Sequence, residues 1–189
     1  MTARFEYRVF HQDLNVLKEY LLNHYESKGE KKSQEAYLLD KDVDGLNIKI
    51  RNHQLDVKRL KSLESGFEQW EPFYKKRFPI HAKHINGFFK KQLVQPDTSI
   101  SEAALNNIIK TDAHMKYVHL YKKRFLFELE DVQAEFVKLQ IANKTFHTVA
   151  LESSNLQELQ KAVHDIGIDT FLNTSYYSFL KSVCLPIKK

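Results

Sequence analysis

The residues best placed to do chemistry are lysines and arginines that recur at every second position. Between Leu46 and Leu60, Leu46, Ile48 and Ile50 alternate with Asn47, Lys49 and Arg51. After a break at Asn52–Gln54, Leu55 and Val57 alternate with Asp56 and Lys58. A period of two gives a strand one apolar and one polar face, and two such runs predict an antiparallel hairpin. Its polar face gathers Lys49, Arg51 and Lys58. Such cations repel one another, so the cluster calls for an anion that the hairpin does not supply. The pattern returns at Lys122 and Arg124, in register with Val118, Leu120 and Leu126. A charged first strand, with Arg4, Glu6 and Arg8 opposite Phe5, Tyr7 and Val9, completes the set.

Two other constellations carry less. Asp40-Lys41-Asp42-Val43-Asp44-Gly45 opens like a calcium loop, with acids at alternate positions and glycine sixth. The eighth position is Asn47 and the twelfth Arg51 where a bidentate glutamate is needed, so the segment predicts a plain Asp-Gly turn. His81 and His84 could share a helix face as a metal pair. No third ligand stands nearby in sequence, which predicts packed or exposed histidines.

These side chains need elements to aim them. The alternation predicts strands over Arg4–Phe10, Glu35–Leu39, Phe67–Arg77, Met115–Leu129, Val132–Ile141 and Lys144–Glu152. Helical spacing follows Asp13, with Leu14, Leu17 and Leu21 and an end near Glu26. Further helices are predicted over His81–Leu93 and Ile100–Lys110. Another carries Leu156, Leu159, Val163 and Ile166 behind a Ser154 or Asn155 cap and ends at Gly167. A terminal helix carries Phe179, Leu180 and Val183. The polar stretch Ser27–Ser33 is expected to be a solvated loop, and Lys61–Gly66 a turn. The fold class is α+β, an antiparallel sheet closed or nearly closed, with flanking helices.

Composition bounds the rest. A chain of 189 residues can bury one sizeable core, and a single domain over residues 1–189 is expected. With 42% hydrophobic and 28% charged residues it is an ordinary globular composition, not a disordered one. A net charge of +5 favours an anionic partner without establishing nucleic acid. Cys184 is the only cysteine, which excludes an intramolecular disulfide and predicts a reducing compartment. The first residues lack a signal-peptide core, and no apolar run is long enough to span a membrane, so a cytoplasmic protein is expected.

The order of these motifs resembles the CYTH superfamily, the triphosphate tunnel metalloenzymes. The likeness rests on Glu6 and Arg8, on Lys49-x-Arg51 with Lys58, on Lys122-x-Arg124, and on the acid-ended strand at Glu152. Ile166-Gly167-Ile168 and Ser175-Tyr176-Tyr177-Ser178-Phe179-Leu180 complete it. It implies an eight-stranded antiparallel tunnel in which Arg8, Lys49, Arg51, Lys58, Lys122 and Arg124 hold phosphates. Glu6 and Glu152 would then hold Mg²⁺ or Mn²⁺. The chain departs from the family pattern in its metal region. Arg4 stands where the first glutamate of Glu-x-Glu-x-Lys is expected, Arg8 replaces the lysine, and Ala150 stands two residues before Glu152. Gln140 is the candidate for the place of a further acid.

The function expected is binding of a triphosphate- or polyphosphate-containing small molecule, with metal-dependent hydrolysis as the enzymatic form. The alternative is a non-catalytic sensor of the same fold. Nucleic-acid binding ranks third, because Phe and Tyr alternate with charges as core residues do. No catalytic residue, natural substrate or oligomeric state is readable.

Overall fold

The computed structural model describes residues 3–185. In chain order the elements are β1 (Arg4–His11), α1 (Asn15–His24), β2 (Glu26–Asp40), β3 (Leu46–Arg51), β4 (Gln54–Glu64) and β5 (Phe67–Arg77). Next come β6 (Ile80–His81), α2 (Ala82–Phe89), β7 (Ser99–Ile100), α3 (Glu102–Thr111) and β8 (Met115–Leu129). The chain ends with β9 (Val132–Ile141), β10 (Lys144–Ser153), α4 (Leu156–Ile166) and α5 (Tyr176–Cys184). Eight strands close into an antiparallel barrel in the order β1-β10-β9-β8-β2-β3-β4-β5, while β6 and β7 form a two-residue ladder. This is the α+β barrel with flanking helices that the alternation predicts.

Two compact units are interleaved along the chain. The first comprises residues up to Gln34, Leu60–Glu71 and Leu120–Ser175; the second comprises Glu35–Arg59, Pro72–His119 and the segment from Tyr176.

In the first unit β1 is buried on both faces, for opposite reasons. Phe5, Tyr7 and Val9 join Phe136, Val149 and Leu151 in an apolar core. Leu21 of α1 and Leu159, Val163 and Ile166 of α4 close that core. Helix α4 forms where its apolar stripe predicts. Asn155 caps it, its side chain accepting from the backbone N–H groups of Gln157 and Glu158. Gly167 ends it at φ +75°, a left-handed turn that glycine adopts without steric cost. The other face of β1 carries Glu6 and Arg8.

In the second unit Ile48, Ile50, Leu55 and Val57 of the β3–β4 hairpin pack against Ile85, Phe88 and Phe89 of α2 and Leu105 and Ile109 of α3. The hairpin register pairs Asn47 with Lys58, Lys49 with Asp56 and Arg51 with Gln54. Its polar face therefore gathers the predicted cations.

Three expectations are corrected. Ser27–Ser33 is not a loop; it is the first half of β2, exposed on both faces. Here cross-strand charge replaces apolar alternation, with Lys28 bonded to Glu128 at 3.0 Å and Lys123 to Glu30 at 2.9 Å. The turn predicted over Lys61–Gly66 shrinks to Ser65 and Gly66, because β4 runs on to Glu64. Helix α1 ends at His24, and Asp13 bonds the Asn15 N–H at 2.9 Å just before it starts.

Candidate functional site

The polar face of the first unit is a ladder of ionisable side chains. In antiparallel pairs, residues directly opposite share a face. Arg8 lies opposite Ala150, and Ala150 opposite Glu135. On β8, Arg124 lies opposite Val137 and Lys122 opposite Leu139. Arg8, Glu135, Arg124 and Lys122 therefore look out from one side of four neighbouring strands. Lys122 is fully buried and Arg8 is 3% exposed.

Arg8 organises this face. Its Nε donates to Glu6 Oε1 at 2.8 Å, and its Nη1 lies 3.0 Å from Glu135 Oε1 and 3.5 Å from Thr148 Oγ1. Glu135 sits one strand beyond β10, so the arginine must reach across that strand. It passes where Ala150 supplies only a methyl group. Two departures from the family pattern, Arg8 and Ala150, thus belong together: the small residue leaves room for the long one. Backbone bonds fix the arginine's base. Its N–H donates to Asn173 Oδ1 at 2.8 Å and its carbonyl accepts from the Thr174 N–H at 2.8 Å.

Glu135 is the acid that sequence reasoning missed. Burial pushes its carboxyl upward, but Arg8, Arg124 and Lys122 together outweigh burial and hold it below the usual glutamate range. Gln140, the candidate for this place, lies on the opposite face of β9 and bonds the Ala142 carbonyl. A strand's faces alternate, so an alignment wrong by an odd number of residues selects the wrong face. The readable signal was Glu135 itself, an acid sharing a strand face with Val137 and Leu139.

Glu6 and Glu152 meet directly, as partners in the β1–β10 ladder, and Glu68 of β5 lies opposite Glu6 on its other side. Three carboxylates side by side repel one another. Glu68 responds most visibly. Burial raises its pKa, the Trp70 Nε1 bond at 3.0 Å opposes that, and the Glu6 charge raises it further. A raised value means that the folded state keeps a proton that the unfolded chain releases, so this group costs stability as pH rises above the ordinary carboxylate range. Glu68→Gln is therefore expected to stabilise the protein by roughly 0.5–1 kcal/mol at neutral pH. Thermal melts should show the gain at neutral pH and its disappearance near pH 4.

The second unit has its own cluster. Glu35, whose side chain is wholly buried, lies 3.8 Å from Lys49 Nζ and 3.5 Å from Arg51 Nη1. Asp56 lies 4.0 Å from Lys49 Nζ. Burial lowers the Lys49 pKa, Glu35 and Asp56 oppose this, and Lys58 and Arg51 add to the lowering. The three predicted cations are thus brought close enough to feel one another, with carboxylates from β2 and β4 between them.

The calcium-like loop is held by a lysine. Lys181 Nζ donates to the carbonyls of Lys41 and Val43, each at 3.0 Å, and to Asp44 Oδ1 at 2.8 Å. Asp40 receives Lys91 Nζ at 2.8 Å. The histidine pair is not assembled for metal either. His81 Nδ1 accepts from the Lys83 N–H as a helix cap, and the His84 ring packs on Tyr74. Among the described residues, no group of three or more His, Cys, Asp or Glu side chains could hold a metal ion.

No protein-family model matches the sequence, and no curated protein matches it either. Solved structures do match in fold. PH1819 of Pyrococcus horikoshii aligns with a TM-score of 0.53 at 12% identity, over 94% of this chain and 99% of that one. HpAC1 of Hippeastrum, described as having a dominant triphosphatase activity, aligns at 0.51 and 9% identity over 100% and 98%. The RNA triphosphatase domain of a mimivirus mRNA capping enzyme aligns at 0.50 and 8% identity over 88% of each chain. At these identities the likeness establishes the fold alone, a closed eight-stranded antiparallel barrel as the resemblance in motif order implies.

Proposed function

We propose that the chain binds a triphosphate or polyphosphate group of a small molecule through the ionic face built on Arg8, Lys122 and Arg124. The observation carrying this reading is that β1 is buried on both sides, yet one side is ionic rather than apolar. A solid core has no use for buried arginine and lysine, and desolvated charges cost stability unless something needs them. Cations in such a setting hold phosphate oxygens strongly, and arginine offers two parallel donors. Lys49, Arg51 and Lys58 of the second unit are proposed as phosphate-binding residues on their own cluster's merits.

Hydrolysis is the second reading, favoured by the triphosphatase described for HpAC1 and by the mimivirus domain. Mg²⁺ or Mn²⁺ held by Glu6 and Glu152 is the cofactor that the resemblance implies, and it would polarise a phosphate and activate water. The carboxylates do not fit a resident ion. Glu6 is turned to Arg8, Glu68 to Trp70, and no metal-holding group forms among the described residues. Binding is therefore the conclusion, and no reaction step is assigned. No helix of the described residues is long and apolar enough to cross a membrane.

Calorimetric titration with inorganic tripolyphosphate tests the reading. Arg124→Ala is expected to weaken binding by about 10- to 100-fold, the worth of a lost hydrogen bond to a charged group. Arg51→Ala applies the same test to the second unit. Affinity unchanged in both variants would remove these residues from the site. Phosphate release from a panel of triphosphates separates hydrolysis from binding alone.

A further inference from the structure

We propose that Arg8 is a built-in replacement for a divalent cation, so that this chain binds polyphosphate without metal. The inference rests on the phosphate-binding reading above and adds to it the ion requirement. A metal site needs carboxylate oxygens that converge and can be vacated by whatever holds them. Here the two carboxylates that converge are Glu6 and Glu135, from strands on either side of β10, and what they converge on is a guanidinium. The bonds are short, charge-assisted and nearly shielded from water, with the Arg8 side chain 4% exposed.

The choice of arginine matters. A lysine there could lose its proton and make way for an ion, whereas a guanidinium stays charged throughout the accessible pH range. Magnesium is a poor competitor for such oxygens because it gives up its water reluctantly. A fixed cation also does part of what a metal would do for an incoming anion. Together with Arg124, whose Nη1 lies 3.9 Å from the second Glu135 oxygen, it balances the charge of Glu6 and Glu135.

The second unit shows the same device independently. The loop that begins like a calcium site presents two carbonyls and a carboxylate to one ammonium, that of Lys181. In both places, oxygens of a kind that could hold a divalent ion hold a side-chain cation instead.

The test uses the whole chain and inorganic tripolyphosphate, titrated calorimetrically in EDTA and again with Mg²⁺ or Mn²⁺. Binding in EDTA that metal improves by less than about threefold is the expected result. Binding that requires added metal would overturn the inference and leave the phosphate-binding reading standing. No binding under either condition would overturn that reading, and this inference with it. A second readout needs no phosphate. Wild-type protein is expected to leave the EPR signal of free Mn²⁺ unchanged, while Arg8→Ala, which removes the guanidinium bonded to both Glu6 and Glu135, should quench it. Stoichiometric Mn²⁺ binding by the wild type that Glu135→Gln abolishes would sink the proposal even if Arg8→Ala failed to fold.

Discussion

Replacing Arg8 with alanine is expected to lower the melting temperature by roughly 10 °C at neutral pH. The substitution removes the shared partner of two nearly buried ion pairs and leaves Glu135 with the longer 3.9 Å contact to Arg124 and the charge of Lys122. Breaking a buried pair from one side costs about 3–5 kcal/mol, because the remaining charge stays desolvated. In a domain of this size each kcal/mol moves the midpoint by about 2–4 °C. The pH dependence gives the loss a signature. Glu135 is held below its ordinary pKa, so it contributes stability that is present above the unfolded value and lost as pH falls through the folded one. Arg8 is the largest of the charges that lower it. Without Arg8 that contribution shrinks, so wild type and variant should converge in acid. Melts at neutral pH and well below the ordinary carboxylate range check both parts. A loss under about 2 °C at neutral pH would show that the arginine is not the counter-charge of these carboxylates. Saturating Mn²⁺ should recover part of the loss, since a ligand that binds only the folded state stabilises it by mass action.

What the sequence exposed and what it hid divides along one line. Period-two alternation is a local signal, and it placed Lys49, Arg51 and Lys58 on one hairpin face and Lys122 and Arg124 on one strand face, as the registers confirm. The counter-charges are not local. Glu35, Glu135 and Glu68 become visible as partners only when strand neighbours are known, and those neighbours come from distant parts of the chain. The expectation that the cationic faces were bare followed from that blindness. The outer half of β2 was unreadable for a related reason. It is strand by backbone pairing and cross-strand charge, and Ser27–Ser33 shows no apolar alternation. Ala150 is the instructive residue. Read as a missing acid it looked like a lost site, whereas in the fold it is the gap through which Arg8 reaches Glu135.

The same physics predicts the behaviour of the second unit when its central acid is neutralised. Glu35→Gln keeps size and polarity but removes the negative charge lying 3.8 Å from Lys49 and 3.5 Å from Arg51. The three cations would then keep Asp56, 4.0 Å from Lys49, as the remaining acid among the described residues of this cluster. A cost of about 3 kcal/mol is expected at neutral pH, the low end for a broken buried pair because the contacts are longer than ideal. Lys49 gives the direction with pH. Its pKa is already lowered by burial, with Glu35 the strongest opposing influence, so the substitution lowers it further. A depressed lysine binds fewer protons folded than unfolded, and stability then rises with pH through that window. The deficit against wild type should accordingly be largest at neutral pH and shrink toward about pH 10, as urea unfolding at the two values would show. Anions supply the decisive contrast. If this face binds phosphate, tripolyphosphate can take the place that Glu35 vacates, and it should raise the melting temperature of Glu35→Gln more than that of the wild type. Equal shifts in the two proteins would mean that the cluster exists to balance Glu35 and takes no ligand of its own.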